Sequence, residues 1–438
     1  MQNRILVKEC ASHVAKSVTV AGWLHRLRNF SKFGFALLRD RSGIVQIVLT
    51  AEHCQLFQGL QNETIFSATG VVVQKPSRSG AIEYEIQADT IQIISPVTHQ
   101  LPIEINKPEG IDANLDTILD NRVVSVRAPQ IRAIFRVQAA LLKGYRTYMD
   151  AQGFTECMFP ILAGAASEGG SEFFKLDYFG RTATLTQSAQ LYKQIMMAVY
   201  EGVYGISYSF RAEKFSTSRH LTEFNQLEFE LGFIESQEEL LIHAERAIRS
   251  MLRMVEEECK EELNTLQTTL PLLGENAFPR IDLSEALQIY KDDTGIDETN
   301  EPDLSPAAER WLSTEWAPQH HGTSFVFVTG WPEIKRPFYA LPDPTRPGYT
   351  VTFDLIGNGS ELASGGLRIS NYEQQIERII KKGLDPSDFN DYTMLHKYGI
   401  PPEGGFGLGL QRLTQNILKL SNIKEATLFP RDVQRLCP

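Results

Sequence analysis

The stretch 205–234 reads GISYSFRAEKFSTSRHLTEFNQLEFELGFI, and its alternation decides the reading of the chain. In an extended strand successive side chains point to opposite faces. Ile206, Tyr208 and Phe210 therefore share one face of a first strand, and Ser207, Ser209, Arg211 and Glu213 share the other. After the polar loop KFSTSRHLT the alternation resumes, with Leu227, Phe229, Leu231 and Phe233 opposite Glu228 and Glu230. The pattern predicts a hairpin with an acid-and-arginine face and a cationic loop carrying Arg219 and His220. An arginine held on a rigid strand can grip a phosphate while bonds to it form and break. An ordinary hairpin with a polar outer face would alternate in the same way, so the pattern alone assigns no chemistry.

Around the hairpin, IRAIFRVQAALLKGYRTYM has the apolar period of an amphipathic helix. Ser236-Gln-Glu-Glu239 reads as a capping box before a second helix, LLIHAERAIRSMLRMVEEE, whose Met251 and Met254 are expected in the core. TSFVFVTGW and YTVTFDLIG read as further strands. Together these elements predict an α+β unit, an antiparallel sheet flanked by helices, over residues 131–438. The sequence holds no G-x-x-x-x-G-K-[ST] loop and no G-x-G-x-x-G opening a helix after a strand. Any ATP chemistry must use another scaffold. No Ser-His-Asp or Cys-His constellation is evident either.

Upstream, SVTVAGWLHRL, KFGFALLRD, GIVQIVLT, SATGVVVQK and IEYEIQADTIQII read as five short strands, with Arg41-Ser42-Gly43 as a turn. Five strands in a small module predict a closed barrel of the OB type over residues 1–103. Phe30, Phe33 and Phe35 interleave with Arg26, Arg28 and Lys32. Such aromatics can stack unpaired bases while the cations hold phosphates, and at least one of the three is expected in the barrel core. Residues 104–130 hold Pro108 and Pro129 with little periodicity and read as a hinge.

The 438 residues carry a net charge of −11, yet residues 1–50 hold eight Lys/Arg against Glu9 and Asp40. A locally basic module on an acidic body can still neutralise phosphates. The five cysteines are scattered and lack C-x-x-C spacing, which argues against a zinc site or a disulfide framework and for a cytoplasmic setting. Neither a signal peptide nor a run of about 18 apolar residues is visible, so no membrane contact is expected.

Phe210-Arg211-Ala212-Glu213 resembles motif 2 of the class II aminoacyl-tRNA synthetases. Gly407-Leu-Gly-Leu-Gln-Arg412 resembles their motif 3, and Gly153-Phe154 through Pro160 their dimer-forming motif 1. RHLTEF, RPFYALPDP, GGFGLGLQR and LFPRD, with the N-terminal barrel, narrow the resemblance to the aspartyl/asparaginyl/lysyl subgroup. It is nearest the shorter, archaeal-type aspartyl enzymes. The resemblance implies ATP-dependent activation of L-aspartate, transfer to tRNA, Mg2+ as cofactor and a homodimer. Arg211, Glu213 and Arg412 would be catalytic, with Arg211 bridging the α-phosphate and the amino-acid carboxylate. Ala212, Arg219, His220, Leu221, Gly409, Leu410 and Gln411 would complete the ATP site. Glu361 and Ser364 would hold the metal, with Asp354 assisting through water.

The same resemblance places Lys193 and Arg368 on the substrate side-chain carboxylate, Glu168 in a mobile substrate loop, and Ser188 and Gln190 on the α-amino and α-carboxyl ends. Glu228 departs from the aspartyl pattern, which has aspartate for the α-ammonium; asparaginyl enzymes carry glutamate there. An asparaginyl-tRNA synthetase and an adenylate-forming asparagine synthetase therefore stand as alternatives, as does a non-catalytic RNA-binding relative. In the barrel, His25, Arg26, Arg28, Phe33 and Pro76 would meet the anticodon. His25 with Pro76 resembles the relaxed form that also charges the asparagine tRNA.

Overall fold

The computed structural model describes residues 4–76, 82–107, 109–164, 172–214 and 217–437. The chain divides into two compact units, Met1–Pro129 and Gln130–Pro438.

In the first unit β1 (Ser17–Asn29), β2 (Phe33–Arg39), β3 (Ile44–Thr50), β4 (Ile65–Pro76) and β5 (Ile82–Ser95) close a barrel in the order β1-β2-β3-β5-β4. Val20, Leu24, Leu38, Ile47, Phe66 and Ile86 fill it, each from an inward position of its strand. The carboxylate of Asp40 accepts from the backbone N–H groups of Ser42 and Gly43, which forms the expected turn. No Phe of the 30–35 group enters the core, contrary to expectation. Along β2 the inward positions are Gly34, Ala36 and Leu38, and the aromatic residues fall on the alternate, outer set. The stretch read as a hinge carries two short helices, Leu115–Asp120 and Arg122–Ser125, and buries Ile105, Asn106 and Leu119.

The second unit is built on eight strands: β6 (Thr155–Glu156), β10 (Gly202–Phe210), β11 (Glu223–Gly232), β12 (Arg280–Asp282), β13 (Phe325–Pro332), β14 (Tyr349–Gly357), β15 (Ser360–Leu367) and β16 (Glu403–Gly409). Their spatial order is β12-β13-β14-β15-β16-β11-β10-β6. The six central strands are antiparallel, and the two edge pairs, β12–β13 and β6–β10, are parallel. The expected sheet is thus mixed at its margins, because each edge strand is joined to its neighbour by a long, helix-bearing crossover. β7 (Leu162–Ala163), β8 (Lys175–Tyr178) and β9 (Arg181–Leu185) form a small separate sheet.

The helices Pro129–Ala151 and Gln237–Glu258 pack on one face of the large sheet. Val137, Leu141 and Tyr145 from the first meet Leu241, Ile248 and Met251 from the second over Phe229, Phe353 and Phe406. Met254 packs at the edge of the same core. The predicted capping box does not form: Ser236 caps no backbone N–H, and the Glu239 carboxylate accepts from the N–H of Glu235 instead. Among the described residues no helix is long and apolar enough to cross a membrane.

Candidate active site

A cavity of ≈ 340 Å3 opens over the other face of the large sheet, within the usual range of about 300–1,000 Å3 for small-molecule sites. Strands β11, β14, β15 and β16 contribute its floor, the helix Gln190–Tyr200 one wall, and the loop between β10 and β11 another. Arg211 N donates to Thr222 O across the base of that loop, so the hairpin of the sequence reading closes as expected. Ser188, Gln190, Lys193, Arg211, Glu213, Arg219, His220, Leu221, Glu228, Glu361, Ser364, Arg368, Gly409, Gln411 and Arg412 all border this one cavity. These residues span more than 200 positions, and only the fold brings them together.

At the inner end the charges are dense and buried. Lys193 Nζ lies 2.9 Å from Glu228 Oε2 and 3.0 Å from Glu230 Oε2, and it also donates to Phe406 O at 3.0 Å. Arg368 Nε lies 2.7 Å from Glu230 Oε1, and its Nη2 donates to Gly405 O at 3.0 Å and to Gln190 Oε1 at 3.3 Å. The two cations of the sequence reading therefore do converge, but on the protein's own Glu230. Burial would raise the Glu230 carboxyl, but Arg368 and Lys193 outweigh it and hold the group below the usual carboxylate range. Glycine at 405 permits this packing, since an added methyl would collide with Phe229 O and the Glu230 carboxylate. The Glu228 carboxylate also accepts from Ser207 Oγ at 3.2 Å and from Ala189 N at 3.3 Å. Behind the cluster Gln194 Nε2 donates to Glu403 Oε1 at 2.6 Å.

The outer end is arranged for an anion. Arg211 lies over the ring of Phe224, 5.4 Å from its centre, so a flat group and a phosphate could be held side by side. Burial lowers the His220 imidazole, and Arg412, Arg211 and Arg219 lower it further against the opposing pull of Glu213. Arg412 reaches Glu361, with Nη1 3.1 Å from its carbonyl and 3.5 Å from its carboxylate. At Gly409 an added methyl would meet nothing closer than 3.6 Å among the described residues, so the open space belongs to the cavity.

Glu361 and Ser364 are three residues apart and would point to opposite faces of a regular strand. A bulge resolves this: Leu355 pairs with Ala363, Ile356 pairs with Glu361, and Leu362 is the extra residue. Glu361 and Ser364 thereby face the same cavity. Ser364 Oγ accepts from Arg336 Nη1 at 2.8 Å, and Arg336 forks onto Asp354 at 2.9 and 2.8 Å. Burial pushes the Asp354 carboxyl up to about 6 despite that fork, with Glu361 adding to the rise. Among the described residues no group of three or more His, Cys, Asp or Glu could cage a metal. One carboxylate and one hydroxyl fit instead a hard cation that keeps waters and phosphate oxygens.

Some predicted residues stand elsewhere. Glu168 lies outside the described residues, as does the side chain of Pro76. Ala212 and Leu410 do not border the cavity; Leu410 is buried in the protein, and Ala212 N donates to Glu172 O. Gln411 is structural as well as cavity-lining, accepting from Asn225 N and donating to Asn225 Oδ1. In the barrel, Phe30, Phe33 and Phe35 form an aromatic group, with Phe30 and Phe33 stacked at 5.0 Å and 54% and 44% exposed. Arg28 and Lys32 are exposed beside them, whereas Arg26 is half-buried and donates to Asn106 O. His25 is the extra residue of a bulge in β1 and is buried, its Nδ1 3.4 Å from Arg39 Nη1. Glu230, Arg336 and Phe224 were missed by sequence reasoning. Glu230 and Arg336 sit at polar positions whose partners come from other elements, and Phe224 lies under Arg211 of its own hairpin.

Residues 114–433 match the family described as tRNA synthetases class II (D, K and N), and residues 18–94 match the OB-fold nucleic acid binding domain. The chain is 41% identical to the aspartate–tRNA(Asp/Asn) ligase of Thermus thermophilus, over 99% of this chain and 100% of that one. It is 38% identical to the aspartate–tRNA(Asp/Asn) ligase of Deinococcus radiodurans, over 99% of each. The solved asparaginyl-tRNA synthetase of Pyrococcus horikoshii, complexed with asparaginyl-adenylate, superposes with a TM-score of 0.90 at 32% identity over 100% of both chains. With its barrel and its sheet-borne anion cavity, the chain belongs to the class II tRNA synthetases of the D, K and N group.

Proposed function

We propose that the chain activates L-aspartate with ATP and transfers it to the 3′ end of tRNA(Asp) and of tRNA(Asn). The observation that carries the amino-acid assignment is the buried square of Lys193, Glu228, Glu230 and Arg368. Two cations and two carboxylates balance there. An incoming α-ammonium draws Glu228 away from Lys193, which then needs a new anion. The side-chain carboxylate of aspartate supplies it, shared with Arg368. Asparagine brings the ammonium but no second carboxylate, so Lys193 would be left buried and under-paired, at a cost of about 3–5 kcal/mol.

The aspartate α-carboxylate attacks the ATP α-phosphate in line, giving aspartyl-adenylate and pyrophosphate. Arg211 bridges the two reacting groups, and Arg219 and Arg412 take the phosphate tail. The terminal tRNA hydroxyl then attacks the activated carbonyl and releases AMP. Positioning and charge neutralisation account for both steps, and no covalent enzyme intermediate is needed. Glu361 and Ser364 would hold Mg2+, which neutralises phosphate charge when bound. Ser188 and Gln190 orient the α-amino and α-carboxyl ends, and Glu168, which two glycines follow in the sequence, is assigned a contact to the substrate. The exposed Phe30 and Phe33 with Arg28 suit stacking of anticodon bases. The names of the Thermus and Deinococcus relatives support the wider tRNA range. Met158, 91% exposed within the motif 1 resemblance, and Leu162, 44% exposed just beyond it, support a homodimer through that face.

The second reading, an asparaginyl enzyme, is favoured by Glu228 and by the likeness to the Pyrococcus asparaginyl structure. ATP–pyrophosphate exchange with each amino acid separates the two. Exchange with aspartate and not asparagine is expected; the reverse preference would replace the proposal. Charging of purified tRNA(Asp) and tRNA(Asn) with labelled aspartate then tests the range.

A further inference from the structure

Arg219 borders the cavity, and behind it, off the cavity wall, stands Glu309. Arg219 Nη2 lies 2.7 Å from Glu309 Oε2, with the two side chains 31% and 15% exposed. Glu309 is fixed from several directions. Its helix, Pro306–Trp311, starts at Ser305, whose Oγ accepts from Ala308 N at 3.2 Å. The Glu309 carbonyl accepts from Ser313 Oγ at 2.8 Å, and the same Oγ accepts from Gly359 N at 2.8 Å. Gly359 lies in the turn between β14 and β15, two residues before Glu361. Asn416 ties the helix of Arg412 to this turn, donating to Gly357 O at 3.0 Å and Ser360 Oγ at 2.8 Å. One rigid assembly thus carries Glu309, Glu361 and Arg412, and the loop-borne Arg219 is docked onto it. The charges sense one another: burial raises the Glu309 carboxyl, Glu361 adds to the rise, and Arg219 and Arg412 oppose it.

We propose that Glu309 is the positioning residue for Arg219, holding one N–H of Nη2 so that the edge of the guanidinium that Glu309 leaves open stays available to the terminal phosphates of the nucleotide. The inference rests on the reading of Arg219 as a contact of the ATP tail. An arginine fork can serve two oxyanions at once, one along each edge. A loop arginine without this tether would have to be ordered when the nucleotide binds, which weakens binding. Glu309 acts on nucleotide affinity and leaves the chemistry at the α-phosphate alone.

The test is a double-mutant cycle on the full chain, reading ATP affinity by calorimetry together with KM and kcat in aspartate-dependent pyrophosphate exchange. Glu309→Ala is expected to weaken ATP binding and raise KM for ATP about three- to tenfold, the coupling range of a partly exposed ion pair. KM for aspartate and kcat should stay within about twofold, and Glu309→Gln should fall between wild type and Ala. Arg219→Ala should cost more, and the double variant no more than Arg219→Ala alone. Costs that multiply in the double variant, or a Glu309→Ala that binds ATP as wild type does while Arg219→Ala binds it worse, would overturn the inference and leave the functional reading standing. Unchanged ATP binding by Arg219→Ala would overturn both the tail assignment and the inference. Exchange with asparagine in place of aspartate, with the cycle as expected, would overturn only the amino-acid assignment.

Discussion

Lys193 Nζ lies 2.9 Å from Glu228 Oε2, and the two side chains are 1% and 2% exposed. The pair joins a lysine from a helix to a carboxylate from the central strand of the sheet, inside a cluster that Glu230 and Arg368 complete. Breaking a buried pair by removing one partner leaves an uncompensated charge, which costs about 3–5 kcal/mol. Lys193→Met is therefore expected to lower stability by that order and to abolish aspartate-dependent exchange. Adding Glu228→Gln removes one orphaned charge and should return part of the stability, measured by denaturant melts, but none of the activity. A double variant no more stable than Lys193→Met would show that the two charges are not energetically paired.

Arg211 carries the chemistry in the proposed mechanism, and it stands at the mouth of the hairpin with its guanidinium over Phe224. Arg211→Ala should reduce adenylate formation by about 10²–10³-fold, the usual cost of losing one aimed donor at a transition state. Binding of tRNA, read by filter retention, should be unchanged. Loss of tRNA binding in step with activity would point to a folding defect, and retained exchange would remove Arg211 from the mechanism.

Much of this arrangement was legible as period-two alternation. The hairpin of Arg211 and Glu228 and the five barrel strands lie where their patterns put them. What could not be read is what breaks a period or joins distant elements. Glu361 and Ser364 share a face only because Leu362 bulges out of register. The phenylalanines of the 30–35 segment were expected in part inside the barrel, yet the small residues Gly34 and Ala36 take the inward positions. Glu230 reads in the sequence as one more polar position of an alternating strand. Its role follows from Arg368, 138 residues away, and from Lys193 on another element.

The outward aromatic group leads to a prediction about tRNA. Phe30 and Phe33 are exposed and stacked on each other, so their removal should cost little stability, about 0.5 kcal/mol or less. Stacking of a base on an aromatic ring contributes about 1–3 kcal/mol. Phe33→Ala should weaken tRNA binding by that order and leave tRNA-independent pyrophosphate exchange intact. Equal tRNA affinity of variant and wild type, by fluorescence titration at fixed salt, would remove this surface from the anticodon site.

Glu403 gives a prediction about pH. Its side chain is 1% exposed, Oε1 accepts from Gln194 and Oε2 has no hydrogen-bond partner among the described residues, while its backbone carbonyl receives Arg368 N at 2.9 Å. Burial, and then the neighbouring charge of Glu230, raise the carboxyl well above its ordinary value. In the folded protein the group is thus protonated where the unfolded chain has already ionised. The folded state then binds more protons, so this group's contribution to stability is complete below the unfolded carboxylate pKa and is lost as pH rises towards the raised folded value. Glu403→Gln keeps the shape and the contact with Gln194 but cannot ionise. The variant should match or fall slightly below wild type near pH 4 and exceed it near pH 7.5, with the gap widening by up to about 1.4 kcal/mol per pH unit between the two pKa values. Taking the difference between the two proteins cancels every other titrating group that the substitution leaves undisturbed. A gap that stays constant across that range in denaturant melts would mean that Glu403 ionises alike in the folded and unfolded chains, and that a buried carboxylate is tolerated behind the substrate cluster.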